Sequence, residues 1–179
     1  MRLRGERGQV VVEYAIVFPI QLLVTLAIIQ IAHIFVAKSL VSYAAFCGAR
    51  AALVDEDAED AAAIAMSGVA GTAGAELEEN ITVPGWGELP RSGGARLKNE
   101  VEVIEKTDED GIPIVTCNVA HLYQLTIPIG NYLTYQIGRA FLPLPDIDET
   151  YGEPHFRVTG TSTLVRPWET ANVVGEEEF

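Results

Sequence analysis

The residues that could do chemistry in this 179-residue chain are few and widely spaced. One carboxylate, Glu13, stands at the head of an apolar run: from Tyr14 to Ala37, 24 residues, there is no Asp, Glu, Lys or Arg. A carboxylate at mid-bilayer costs at least about 2.5 kcal/mol, and less near an interface. On position alone Glu13 is expected to snorkel into headgroups. The three histidines are His33, His121 and His155, and no G-x-S-x-G, H-E-x-x-H, phosphate loop or C-x-x-C accompanies them. The chain is therefore read as not an enzyme, with no cofactor. The acids Asp55, Glu56, Asp57, Glu59 and Asp60 read as a solvated helical face, and Thr107 to Gly111 as a turn without calcium-loop spacing. No metal site is expected. Cys47 and Cys117 could form a disulfide in an oxidising compartment, or could be two small buried thiols.

The elements that must carry these residues are segregated along the chain. There are 12 basic and 25 acidic side chains, a formal charge of −13, yet 49% of residues are hydrophobic and the mean hydropathy is +0.20. Residues 51–179 hold 23 acids against 7 bases. That excludes a simple soluble globule, and a domain so acidic repels nucleic-acid phosphate. Tyr14 to Ala37 is long enough to span a bilayer as a helix. The preceding MRLRGERG is basic, so the N-terminus should stay cytoplasmic and the acidic bulk should cross the membrane. The run is too long for a signal-peptide core, and bulky Phe46 before Cys47 disfavours a lipoprotein site.

Residues 38–67, rich in Ala and Leu, are expected to continue the helix to Met66, until Gly68, Gly71 and Gly74 stop it. Pro19 should kink it. Ala44, Gly48 and Ala52 recur every four residues and permit close packing. That face could meet a neighbouring subunit's helix or the chain's own sheet.

Beyond residue 75 the patterns are those of strands. Asn99 to Lys106 alternates Val101 and Val103 with Glu100 and Glu102. Ile114 to Leu125 places Val115, Cys117, Val119, His121, Tyr123 and Leu125 on one face. A final strand runs from about His155 to Arg166, with threonines on a wet face, and Ile81 to Val83 could add a short edge. The apolar linker Ile127 to Pro145, with a short helix over Asn131 to Arg139, could contact a membrane surface or a partner, or cover one end of the sheet. The expected fold is α+β: a long N-terminal transmembrane helix packed on a small antiparallel sheet. The expected organisation is a basic leader (1–8), a long helix (9–67, in the membrane over 14–37), an outer domain (75–170) and an acidic tail (171–179).

The run Arg7-Gly8-Gln9-Val10-Val11-Val12-Glu13-Tyr14 resembles the processing motif of type IV pilin-like proteins, most closely the tight-adherence (Flp) branch. Glu13 to Pro19 is similar to the E-[FY]-A-x-[VL]-x-P run of TadE-like and TadG-like minor pseudopilins. Ala44 to Ala52 is similar to the A-A-x-x-G-A-R-A-A run that closes their long helix. The resemblance implies cleavage by a prepilin peptidase between Gly8 and Gln9. Glu13 of one subunit would then pair with the new Gln9 amine of a neighbour and fix axial register, with Tyr14 beside it. It also implies a role in pilus assembly, with other pilins and the inner-membrane platform proteins as partners. Two positions depart from the family pattern: Gln30 stands where an acid is usual and His33 where Arg is frequent. The alternative is an unprocessed single-pass anchor whose outer domain binds an envelope component.

Overall fold

The computed structural model describes residues 4–72, 74, 76–107, 112–125, 147–150 and 153–166. Side chains are described from Val10 onward, except those of 147–150, 153 and 154. The linker Ile127 to Pro145, its short helix and the acidic tail lie outside the described residues, as does most of the Thr107 to Gly111 turn.

Helix α1 runs from Arg4 to Leu53, 50 residues with Pro19 inside it. It does not continue to Met66. The acidic run, read as a helical face, ends one helix and begins another. Asp55 adopts φ 58°, its N–H donates to the Ala52 carbonyl, and the Glu56 N–H donates to the Ala51 carbonyl at 2.9 Å. This is a Schellman cap with Asp in place of the usual glycine. Asp57 then caps α2 (Ala58–Met66), its side chain accepting from the Glu59 and Asp60 N–H groups. Carboxylates near an N-terminus also suit the helix dipole.

Two short strands, β1 (Thr82–Val83) and β2 (Gly87–Glu88), form a separate antiparallel hairpin. The expected edge at Ile81 to Val83 therefore pairs within this hairpin and does not join the main sheet. The cause is local: Pro84 and Gly85, at φ 82°, turn the chain back at once. Helix α3 (Ser92–Lys98) leads into β3 (Asn99–Thr107), followed by β4 (Pro113–Gln124), β5 (Ile147–Thr150) and β6 (Glu153–Val165). The four-stranded sheet is antiparallel in the order β3-β4-β6-β5. The alternation expected for β4 is present, with Val115, Cys117, Val119, His121 and Tyr123 buried. The fold is thus α+β, with α1 packed on a small antiparallel sheet.

The core lies between α1, α2 and the inner face of the sheet. Alanines dominate it: Ala37, Ala44, Ala45 and Ala49 from α1, Ala62 and Ala63 from α2, and Ala95 from α3. Small side chains bring backbones close. A Cβ on Gly160 of β6 would lie 2.8 Å from the backbone of Val41. Beside that contact, Lys38 Nζ donates to the Thr159 carbonyl at 2.5 Å. Farther along, Arg166 Nη2 donates to the Ala52 carbonyl at 2.9 Å. These three contacts show that β6 and the outer half of α1 run in the same direction.

Candidate functional site

The N-terminal segment is a bare helix. Val10, Val11, Val12, Tyr14, Ile16, Val17, Phe18 and Ile20 are all exposed large apolar side chains. Such a surface is tolerable only in lipid or against other helices. Gly8 and Gln9 lie in the early turns of this helix. Glu13 is exposed among the valines, and Tyr14 stacks on Phe18 one turn on, with ring centroids 5.5 Å apart. Gln30 and His33 part company: Gln30 is fully buried, whereas exposed His33 donates from Nδ1 to the Ile29 carbonyl at 2.8 Å.

The small-residue stripe is used inside the chain. Ala44, Ala45 and Ala49 are completely buried. Gly48 sits where α1, α2 and β4 converge: a Cβ there would meet Cys117 Sγ at 2.8 Å and the Ala58 carbonyl at 3.3 Å. Of the two readings left open, packing on the chain's own sheet is the one observed. Ala52, the last of the stripe, is half-buried and gives its carbonyl to Arg166.

Both cysteines are free thiols. Cys117 is buried beneath Gly48, and burial pushes its thiol above the ordinary range. Cys47 is half-buried and hydrogen-bonds the Tyr43 hydroxyl, which is raised chiefly by that contact.

One cluster was not visible in the sequence. His121, at the end of β4, is fully buried and donates from Nδ1 to Asn99 Oδ1 at 2.6 Å. Its Nε2 has no partner among the described residues. Lys98, only 2% exposed, donates from Nζ to the Ala70 carbonyl at 2.6 Å. Burial brings its amine down to about 8. Burial first, then Lys98 and buried His155, bring His121 down to about 3. A strand pattern assigns His121 to the inner face but cannot show that Lys98, from a different element, lies close to it.

Arg166 is a second unforeseen centre. Its guanidinium, mostly buried, reaches Glu105 at 3.3 Å, Asp55 at 3.5 Å and the Ala52 carbonyl. It neutralises the exposed carbonyl end of α1, where a cation is favoured. Arg96 likewise ties α3 to α2 through Asp60 at 3.3 Å and Glu59 at 3.6 Å. Among the described residues no three His, Cys, Asp or Glu side chains converge as metal ligands.

The geometry is that of a scaffold: a folded outer domain holding one end of a bare apolar helix. No curated protein and no solved structure matches the chain. Residues 8–50, which are the bare helix and most of its packed continuation, match the family model described as TadE-like protein, so the N-terminal helix, about a quarter of the chain, is similar to that family as its residues led us to expect.

Proposed function

We propose that the chain is a minor pseudopilin of a tight-adherence pilus system. It is inserted in the bacterial inner membrane with its N-terminus cytoplasmic, cut by a prepilin peptidase between Gly8 and Gln9, and used in pilus assembly with other pilins and platform proteins. The observation that carries this reading is where α1 leaves the sheet. The backbone of β6 meets α1 at Gly160 and Val41. From Gly160 back to His155, five residues of strand cover about 16 Å. About eleven residues of helix cover the same distance, and eleven residues before Val41 is Gln30, the first fully buried residue of α1. Below Gln30 remain Val10 to Ile29, twenty residues and about 30 Å of helix, the thickness of a hydrocarbon core.

On this reading the span would begin somewhat before the 14–37 segment read from hydropathy, with Glu13 one turn inside the cytoplasmic end. There a carboxylate costs little while alone and gains a partner when a neighbour's Gln9 amine arrives. The test is the N-terminus of the protein in membranes of its native host, by intact mass and terminal-peptide mass spectrometry. A chain beginning at Gln9 supports the proposal. A chain beginning at Met1 in cells with an active prepilin peptidase overturns it and leaves an unprocessed anchor.

A further inference from the structure

The β1–β2 hairpin is costly for what it contributes to the fold. Strands of two residues do not hold together alone. Here the hairpin is fastened from below. The Ile81 N–H donates to Ser92 Oγ at 2.7 Å, and Ser92 Oγ donates to the Leu89 carbonyl at 2.7 Å. Gly93 admits the next segment so closely that a Cβ there would sit 2.5 Å from the Glu78 and Glu79 carbonyls. The tip is rigid as well. Pro84 fixes one backbone angle, Gly85 and Gly87 take φ 82° and 83°, and the Trp86 N–H closes the turn on the Val83 carbonyl at 3.0 Å. All this holds one side chain in water: Trp86, 89% exposed, the most exposed large apolar residue described. Trp86 adds nothing to the core, and an indole held rigidly at a tip is the kind of anchor that dominates protein contacts.

The charge around it selects the occupant. Residues 76–91 carry Glu76, Glu78, Glu79 and Glu88 against Arg91 alone. Exposed Glu88 lies on the same hairpin, two residues from the indole. An aromatic face beside carboxylates attracts Lys or Arg and repels anionic lipid. A second copy is disfavoured too, because residues 51–179 hold 23 acids against 7 bases. We infer that the Trp86 tip is a docking point for a basic segment of a partner protein, with the indole taking a cationic side chain and Glu88 its charge.

The test uses the full chain in phosphatidylcholine nanodiscs and a dye-labelled decapeptide alternating Arg and Gly, read by anisotropy. Trp86→Ala should weaken binding about threefold to fivefold, and Trp86→Phe should restore part of it. Glu88→Gln should weaken it about twofold and reduce its salt dependence. Because Trp86 is outside the core, circular dichroism of these variants should match the parent. Equal binding by the parent and Trp86→Ala would mean general attraction to an acidic domain and would overturn the proposal. So would an emission shift of Trp86, in a Trp168→Phe background, on changing to phosphatidylglycerol nanodiscs, which would give the tip to lipid. Self-association that depends on Trp86 would give it to a second copy and would also overturn the proposal.

Discussion

Acid should loosen the outer domain through His121. Unfolded, its imidazole titrates at the ordinary 6.5; folded, it is held near 3, chiefly by burial and then by the neighbouring Lys98 and His155. The native state therefore binds fewer protons than the unfolded state below pH 6.5, and stability present above that value is lost as pH falls toward 3. The loss is RT times the logarithm of the ratio of the two binding polynomials, about 0.8 kcal/mol at pH 6 and about 2 kcal/mol at pH 5. For a domain of this size, 2 kcal/mol corresponds to roughly 10 °C in melting temperature.

Cys117 supplies the assay. Its thiol is completely buried under Gly48 and becomes reactive only when the sheet leaves α1. In a Cys47→Ser background, the full chain in nanodiscs would be melted at pH 8, 6 and 5 with a disulfide reagent that reacts in acid. His121→Gln, which can keep a hydrogen bond to Asn99, should flatten the profile by about the 2 kcal/mol worked out above. Lys98→Met removes the cation beside His121, so its acid loss should be smaller than the parent's. The same variant should remove a rise in stability between pH 8 and 10.5, the range over which native Lys98 has already lost a proton that the unfolded chain still holds. Parallel profiles for the parent and His121→Gln would refute the reasoning.

Three further outcomes follow from the packing. Gly160→Ala drives a methyl against the Val41 and Ser42 backbone, which cannot turn aside, and should cost about 3 kcal/mol or more in the same melts. Gly48→Ala presses instead on the Cys117 thiol and should cost about 1–3 kcal/mol, with a Cys117→Ala partner recovering part of the loss in a double-mutant cycle. Arg166→Ala uncouples the end of α1 from Asp55 and Glu105, and urea unfolding should show a loss of about 1–3 kcal/mol, because Arg166 is buried although its partners are exposed.

What the sequence made legible was periodic or compositional. The bare helix follows from an unbroken apolar run, and β4 with His121 on its inner face and the threonine side of β6 follow from repeats of 2 residues. The helix break at 54–57 was hidden because its capping residue is Asp55, and an acidic run reads equally well as a solvated face. A Gly there would have announced it. Gly160, inside a strand pattern, was a sign of close backbone approach beside the small-residue stripe of α1. Lys98 beside His121, and Arg166 on the end of α1, are long-range pairings of residues 23 and 114 positions apart or more loosely related, with no local signal.

The small-residue stripe changes where assembly contacts must be sought. Ala44, Ala45, Gly48 and Ala49 are occupied by the chain's own sheet and α2, so under the proposed function helix-to-helix contact between subunits would fall to the bare segment below Gln30 and to the outward face of α1, where Phe35, Val36 and Tyr43 are exposed. Glu13 lies 25 residues before Lys38, the docking lysine, a distance of about 37 Å along the helix. A change there cannot reach the core. Glu13→Gln should therefore leave the Cys117 melt unchanged while abolishing pilus assembly, and crosslinking between subunits should be lost at Val10 to Ile29. A variant that melted earlier would place Glu13 within the fold. One that assembled normally would remove its role in setting register.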